Sequence, residues 1–145
     1  MPDIKELEPL IGRWRQVVDA PRHLDEKVEG DMTLEWLRGE SVILQRSIAE
    51  NPMFPEGVTL IMAANEGAEG DFTAHYFDSR AVSRVLQMSF DGRVWKWWRK
   101  AAGPDDFDQR FEGTLSEDGA TIESSCYLVE DGLWIHDFDV TYTRS

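Results

Sequence analysis

The chain has 145 residues, of which 41% are hydrophobic and 30% charged, which is typical of one globular domain and excludes a disordered chain. Its 15 Lys and Arg stand against 28 Asp and Glu, and the resulting formal charge of -13 argues against nucleic acid or an anionic membrane surface as a partner. A single cysteine, Cys126, excludes an intrachain disulfide. The N terminus lacks the pattern of a signal peptide, and no apolar run is long enough to span a bilayer. We therefore expect a single cytoplasmic domain over residues 1–145.

A short helix is predicted at the start of the chain. Asp3 and Glu6 resemble a capping pair, and apolar residues follow at helical spacing. Pro9 and Gly12 then end the pattern. A second short helix or turn is expected within residues 21–27.

Period-two alternation of apolar and polar residues dominates the rest of the chain, which is typical of half-buried antiparallel strands. Asp91-Gly92 is the strongest hairpin signal. About ten strands joined mostly by short turns predict an all-β fold, a closed antiparallel up-and-down barrel with a short N-terminal helix. A helix-cradled cone is a rival fold, but it needs more helix than residues 1–12 supply. Besides the strand that begins near Gly12, the predicted strands are 28–36, 41–48, 58–64, 72–77, 82–90, 93–99, 107–115, 120–129 and 134–143.

Two motifs at the ends of the chain are similar to those of a known group of barrels. The first strand carries Gly12-Arg13-Trp14, and the last strand ends in Tyr142-Thr143-Arg144. This pattern resembles the calycins, which include the lipocalins, the fatty-acid-binding proteins and bacterial relatives of unknown function. The resemblance implies that Arg144 packs over Trp14 in a cation–π contact that closes one end of the barrel. Segments 76–80, 109–111 and 137–142 also resemble uncharacterised bacterial barrels of this type.

Haem is an alternative ligand that the resemblance raises. The related nitrobindins bind haem in a ten-stranded barrel. Their Gly-x-Trp is followed by further glycines, which this chain lacks after Trp14, and only His136 could stand in for their haem-ligating histidine. Because the residues that flank His136 differ from theirs, haem stays a minor hypothesis.

The last strand provides two candidate ligand contacts, His136 and Tyr142. These two residues share a face with Phe138 and Val140, and this face is the more apolar one, so we expect it to point inward. An imidazole and a phenol would give directional hydrogen bonds in an apolar cavity. The alternative is a core histidine that is hydrogen-bonded to a neighbouring strand.

Three further polar residues, Arg46, Arg84 and Gln109, fall on otherwise apolar strand faces. A buried arginine is costly unless it is paired. Resemblance to fatty-acid-binding proteins suggests that Arg46 or Arg84 binds the carboxylate of a ligand. The alternative is that either arginine lies near the barrel mouth and reaches water.

The sequence gives little support for a metal site, a serine nucleophile, a phosphate-binding loop or a nucleic-acid-binding surface. The three histidines show no metal-ligand spacing, and serine-nucleophile motifs and phosphate-binding glycine loops are absent, so no metal is expected. One cluster interleaves cations with aromatic rings, as single-strand-binding surfaces do, although alternation along one strand explains it as well. The cluster consists of Arg93, Lys96, Arg99, Lys100, Trp95, Trp97 and Trp98.

Three functions remain open. A barrel that binds one small apolar or amphipathic ligand is favoured, because a barrel of this size can enclose such a molecule. An enzyme on the same scaffold would use His136 and Tyr142 as acid and base. A structural module would form a homodimer through an exposed face that carries Trp95 and Trp97.

Overall fold

The structure, a computed structural model, describes residues 2–145. In this part of the chain one short helix precedes ten strands, and every predicted strand is present within two residues of its predicted ends. The elements are a 3-10 helix at Ile4–Leu10 and the strands β1 Gly12–Asp19, β2 Val28–Trp36, β3 Val42–Ala49, β4 Gly57–Ala63, β5 Phe72–Asp78, β6 Ser83–Phe90, β7 Val94–Arg99, β8 Gln109–Leu115, β9 Thr121–Glu130 and β10 Leu133–Arg144.

The N-terminal helix forms because its first turn is capped from both sides. The Asp3 carboxylate accepts a hydrogen bond from the Lys5 backbone, and the Glu6 carboxylate accepts one from the Asp3 backbone. This is the capping box that the sequence predicts. One face of the helix is buried against the barrel through Ile4, Leu7 and Leu10.

The strands form one closed antiparallel barrel. Each strand pairs with its sequence neighbours, and β1 pairs with β10, so that no edge is left open. The predicted up-and-down barrel is therefore confirmed. Closure gives the first and last strands a partner on both sides and removes the exposed edges at which sheets aggregate.

The two ends of the barrel differ because the connections alternate between them. The N-terminal helix and the connections at residues 37–41, 64–71, 91–93 and 116–120 lie at one end, which we call the closed end. At the opposite end, the open end, lie the turn at residues 20–27 and the loops 50–56, 79–82, 100–108 and 131–132. Large apolar side chains fill the closed half, among them Leu34, Ile43, Ile61, Phe72 and Ile122.

A tryptophan and an arginine lie together at the closed end. Trp14 is 0% exposed, and its indole Nε1 donates a hydrogen bond to the Leu10 carbonyl at 3.0 Å. The guanidinium carbon of Arg144, which lies across from Trp14 in the β1–β10 register, is 4.1 Å from the indole centroid. The same guanidinium donates hydrogen bonds at 2.7 Å to the Pro9 and Ile11 carbonyls at the end of the helix. This arrangement therefore joins the first strand, the last strand and the helix.

Gly12 is required by this arrangement. Its φ of +134° is a backbone conformation that other residues rarely adopt, and a Cβ at this position would lie 2.7 Å from Arg144 Nη1. The glycine of the Gly-x-Trp motif therefore makes room for the arginine that covers the tryptophan.

None of the helices within residues 2–145 has the length and apolar character that crossing a membrane requires.

Candidate functional site: a cavity at the open end

A cavity of about 560 Å³ occupies the open half of the barrel. Its volume lies in the range of about 300–1,000 Å³ that small-molecule sites occupy. The lining comes from the inward positions of nine strands, together with loop residues that include His23, Phe54, Arg80 and Phe107. The closed half is thus a packed core, and the open half is a pocket.

One wall of the cavity is aromatic. The rings of Trp97 and Phe111 are stacked with centroids 5.7 Å apart, and Trp95 meets Phe111 edge to face at 5.1 Å. These residues lie on β7 and β8. Such rings offer a broad apolar surface to the hydrocarbon or aromatic part of a ligand.

The opposite wall, on β1, β3 and β4, is polar. Ser47 Oγ donates a hydrogen bond to Gln16 Oε1 at 3.1 Å, and Gln45 and Thr59 also line the cavity. Their amide and hydroxyl groups are able to donate and accept hydrogen bonds. The cavity therefore has one apolar side and one uncharged polar side.

An arginine pair lies near the mouth, beside the aromatic wall. Arg84 Nη1 and Arg99 Nε donate hydrogen bonds to the same oxygen, Gln109 Oε1, at 2.9 and 2.7 Å. Both guanidinium groups lie over the Phe107 ring, at 5.4 and 5.3 Å from its centroid. Arg99 also forms two hydrogen bonds with the Asp106 carboxylate, at 2.7 and 2.8 Å. The charge of Arg99 is therefore balanced within the protein.

Arg84 differs from its neighbour because no carboxylate pairs with it. Within residues 2–145, no Asp or Glu oxygen lies within 4.0 Å of its guanidinium group, and Gln109 is neutral. Burial and the charge of Arg99 lower the pKa of Arg84, although an arginine stays protonated at physiological pH. Arg84 therefore presents an unbalanced positive charge to the cavity.

A second cluster lies next to Arg84 at the mouth. Tyr76 Oη donates a hydrogen bond to Asp78 Oδ2 at 2.7 Å, and Arg80 pairs with the same oxygen at 2.7 Å. The hydrogen bond from Arg80 holds the pKa of Asp78 well below its usual range. Burial and the bond to Asp78 raise the pKa of Tyr76. The negative charge of Asp78 is balanced by Arg80 within this cluster, so it does not offset the positive charge of Arg84.

The turn at residues 20–27 is tied to the last strand by a buried carboxylate. Asp137 is 8% exposed. Its Oδ1 lies 2.9 Å from His23 Nε2 and accepts a hydrogen bond from Arg22 Nη1 at 3.5 Å. Arg22 also pairs with Glu130 at 2.9 Å. These contacts hold the turn across the mouth of the barrel. The sequence did not indicate the contact between His23 and Asp137, because these two residues lie more than a hundred positions apart in the chain.

A β-bulge in β10 changes the face on which His136 lies. The β9–β10 register shifts between His136 and Phe138. As a result, His136 points outward and Asp137 and Phe138 line the cavity. The predicted inward orientation of His136 is therefore wrong, and its imidazole instead pairs with Asp139 at 2.7 Å on the outer face. His136 and Tyr142 do not come together as an acid–base pair.

Tyr142 and Cys126 do line the cavity. Tyr142 is 8% exposed, and burial raises the pKa of its phenol, so it is a neutral hydrogen-bonding group. Burial likewise raises the pKa of the Cys126 thiol. Because the thiolate is the reactive form, Cys126 is unsuited to act as a nucleophile at neutral pH.

Arg46 lies on the outer face of β3, where its side chain is exposed. The inward residues of this strand are Ile43, Gln45, Ser47 and Ala49. The prediction that Arg46 points inward is wrong because β3 carries its more apolar residues on the outside. Of the five predicted ligand contacts, Tyr142, Arg84 and Gln109 line the cavity, and Arg46 and His136 do not.

The positions of Trp95 and Trp97 also differ from the prediction that they lie on an exposed face. Both line the cavity, and Trp95 is 2% exposed, so they do not form an exposed dimer face. Trp98 and Lys96 point the other way from β7. The interleaved cluster of the sequence is thus divided by strand alternation between the inside and the outside of the barrel.

The donor set does not match the haem alternative. His136, the histidine that the resemblance suggested as a ligand, lies outside the barrel. His23, at the cavity mouth, has its Nε2 occupied by Asp137. Among the described residues, no three His, Cys, Asp or Glu side chains converge on one point as metal ligands would.

A comparison with models of known protein families finds no match, and a comparison with curated proteins finds none either. The geometry of the cavity is therefore the main basis for a functional proposal.

One prediction concerns the Arg99–Asp106 pair. The hydrogen bonds from Arg99 lower the pKa of Asp106, so this carboxylate stays ionised in the folded protein at a pH where the unfolded chain takes up a proton. The stabilisation that the ionised Asp106 carboxylate provides is complete above the pKa of this group in the unfolded chain, which is about 3.9. It is lost as the pH falls from there through the lowered pKa of Asp106 in the folded protein. We expect Asp106→Asn to cost about 3 kcal/mol at pH 7, because Arg99 remains buried, and to cost less in acid. Urea denaturation between pH 7 and pH 3 measures both effects.

Asp105→Asn is the matched control, since Asp105 is exposed and forms no ion pair among residues 2–145. Equal losses of stability in the two variants, or a loss in Asp106→Asn that does not change with pH, would contradict the assigned role of the pair.

Proposed function

We propose that this barrel is a calycin-like protein that binds one small amphipathic molecule with an acidic group. The observation that carries the proposal is the unbalanced charge of Arg84 in the wall of a cavity of about 560 Å³. A negatively charged group on the ligand would supply the partner that the protein does not supply. The closed ten-stranded barrel, with Arg144 over Trp14, supports the calycin-like part of the proposal.

The two walls of the cavity support an amphipathic ligand. The stacked rings of Trp97 and Phe111 favour an apolar segment, whereas the Gln16–Ser47 side favours uncharged polar groups. In this proposal the acidic group lies at Arg84, near the mouth, and the apolar segment extends along the aromatic wall. Gln109, which already accepts from Arg84, orients the guanidinium group towards the ligand.

A cytoplasmic location is part of the proposal. It rests on the single cysteine, Cys126, which is a buried thiol and which suits a reducing compartment.

The experiment compares two arginine variants with 8-anilinonaphthalene-1-sulfonate, an amphipathic anion that fluoresces in apolar surroundings, as the probe. We expect Arg84→Gln to weaken binding of the probe about 10-fold or more, since a hydrogen bond to a charged group contributes about 1.5–3 kcal/mol. Dodecanoate, a second amphipathic anion, should displace the probe from the wild-type protein. Fluorescence titration gives both dissociation constants.

Arg46→Gln is the matched control, because it removes the same charge from the outer face. Its affinity for the probe should stay within about twofold of that of the wild type. A wild-type protein that binds neither anion, or an equal effect of the two substitutions, would refute the proposal. Native mass spectrometry of protein purified from its host would then identify the retained ligand by its mass.

A further inference from the structure

Two polar side chains, Gln16 on β1 and Tyr142 on β10, lie side by side deep in the cavity. They are directly opposite each other in the β1–β10 register, which places their Cβ atoms about 4.5–5.5 Å apart. Gln16 is 3% exposed and Tyr142 is 8% exposed, and both line the cavity. We call these two residues the inner pair.

The inner pair has hydrogen-bonding capacity that the protein leaves unused. Within residues 2–145 the Tyr142 hydroxyl forms no hydrogen bond. The Gln16 amide uses only its oxygen, which accepts a hydrogen bond from Ser47 at 3.1 Å. Among the described residues, Trp95 Nε1 is the one unpaired polar side-chain atom that its neighbours cover completely. Tyr142 Oη and Gln16 Nε2 are therefore not sealed off, and they border the open space of the cavity.

Both groups of the inner pair are able to donate a hydrogen bond. An amide nitrogen only donates. Burial raises the pKa of the Tyr142 phenol, so this hydroxyl keeps its proton at neutral pH. Polar groups inside a protein are in general hydrogen-bonded, because an unpaired one loses its hydration without a replacement. A ligand oxygen at this position would accept hydrogen bonds from both residues.

Arg84 lies at the other end of the cavity and on the opposite side of the barrel. It is the second residue of β6, which begins at the open end, whereas Tyr142 is two residues before Arg144 at the closed end. Along the closed sheet, β1 and β6 are five strands apart in either direction. Ten strands about 4.8 Å apart and tilted by about 40° form a barrel about 20 Å across. A ligand whose acidic group lies at Arg84 therefore meets the inner pair with its far end.

We infer that the inner pair binds an oxygen atom at the end of the ligand that is remote from its acidic group. The ligand then belongs to the ω-hydroxy or ω-oxo acids, with an apolar chain between the two polar ends, and not to the unsubstituted fatty acids. This inference rests on the proposed function, because it takes the acidic group to lie at Arg84. The stacked rings of Trp97 and Phe111 contact the apolar chain.

The same contacts disfavour an unsubstituted chain. Its terminal methyl group would displace water from the inner pair without replacing the hydrogen bonds, and such a displacement lowers affinity. For this reason a site that is built to hydrogen-bond a hydroxyl group discriminates against an analogue that lacks it.

Isothermal titration calorimetry of the full chain with three acids tests the inference. 12-Hydroxydodecanoate carries a hydroxyl at the far end, 2-hydroxydodecanoate carries it beside the carboxylate, and dodecanoate has none. We expect the wild-type protein to bind 12-hydroxydodecanoate about 10-fold more tightly than dodecanoate, because two additional hydrogen bonds between neutral groups contribute about that much. 2-Hydroxydodecanoate should bind within about twofold of dodecanoate, since its hydroxyl stays hydrated at the mouth.

Tyr142→Phe removes one donor of the inner pair and keeps the buried ring. The preference for 12-hydroxydodecanoate over dodecanoate should therefore fall to about threefold or less. Because the hydroxyl has no partner in the protein, the free energy of unfolding should not decrease, which urea denaturation verifies. Tyr127→Phe is the matched control, since it removes the same hydroxyl from the outer face of β9, where Arg110 lies 4.8 Å from the ring centroid. This variant should keep the wild-type preference.

Equal affinities of the wild-type protein for 12-hydroxydodecanoate and dodecanoate overturn the inference. A preference that Tyr142→Phe leaves unchanged, or that 2-hydroxydodecanoate shares, overturns it as well. If dodecanoate binds in these cases and Arg84→Gln weakens its binding, the proposed function stands and only the role of the inner pair is wrong. A wild-type protein that binds none of the three acids refutes both.

Discussion

Trp14→Ala should lower the free energy of unfolding by about 4 kcal/mol, the largest loss that we expect for a single side-chain truncation in this protein. The Trp14 side chain is fully buried, so its removal leaves a large void at the closed end. The hydrogen bond to the Leu10 carbonyl and the surface beneath Arg144 are lost together with the ring. Urea denaturation followed by far-UV circular dichroism measures the loss.

Trp134→Ala is the control for the removal of a tryptophan as such. Trp134 is 44% exposed, and its ring packs against Arg110, whose guanidinium carbon lies 4.6 Å from the centroid. A cation–π contact at an exposed site contributes about 0.5–1 kcal/mol, so this variant should remain close to the wild type. Equal losses for the two tryptophans would show that Trp14 does not hold the closed end together.

If Trp14→Ala does not fold at all, Trp14→Phe still tests the arrangement. Phenylalanine keeps most of the buried surface and provides a ring beneath Arg144, but it lacks the Nε1 donor to Leu10. We expect an intermediate loss of about 1–2 kcal/mol. A Trp14→Phe variant as unstable as the alanine variant would point to the hydrogen bond, and not to the ring, as the main contribution.

Much of the fold follows from local patterns in the sequence. The alternation of side chains fixes the strands, and turn residues such as Asp91 and Gly92 fix the hairpins between them. The Asp91 carboxylate accepts hydrogen bonds from the Arg93 and Val94 backbones, so this turn is determined within four residues. Closure is less local, but the motifs at the two ends of the chain indicate it, because β1 and β10 place Trp14 and Arg144 side by side.

The two errors in the candidate site arise where alternation misleads. At His136, a bulge inserts one residue into β10 and reverses the faces of all residues before it. At Arg46, the strand alternates regularly, but its apolar side faces outward. No local pattern shows either feature, since the first is an irregularity in the pairing with β9 and the second depends on how β3 pairs with β2 and β4 in the closed barrel.

The charge balance at the cavity mouth also lies beyond local patterns. Arg84 and Arg99 have similar positions on their strands, yet only Arg99 meets a carboxylate, which the loop before β8 provides in Asp106. Gln109 then joins the two arginines from a third strand. The curvature of the barrel and the path of this loop decide which arginine is left unbalanced, and neither can be inferred from residue spacing.

Gly30→Ala should destabilise the barrel by about 3 kcal/mol, although it adds a single methyl group. A Cβ at this inward position of β2 would collide with the Ile48 carbonyl oxygen and would lie 2.8 Å from the Ala49 Cα. These atoms belong to the backbone of β3, so a rotation of a side chain cannot relieve the contact. The two strands would have to separate, and the hydrogen bond between Gln16 and Ser47 beside them would be strained. Overpacking of this kind costs about 1–3 kcal/mol, and occasionally more.

Gly103→Ala is the matched control in the same urea titration. A Cβ at Gly103 would have no neighbour within 4 Å, and the residue lies in the exposed loop at residues 100–108. Alanine there restricts the unfolded chain, so this variant should be unchanged or more stable by up to about 1 kcal/mol. A loss of less than about 1 kcal/mol in Gly30→Ala would mean that β2 and β3 separate easily at this point. In that case the polar wall of the cavity, which Gln16 and Ser47 form beside Gly30, would be adaptable, and the ligand would be selected mainly by the aromatic wall and Arg84.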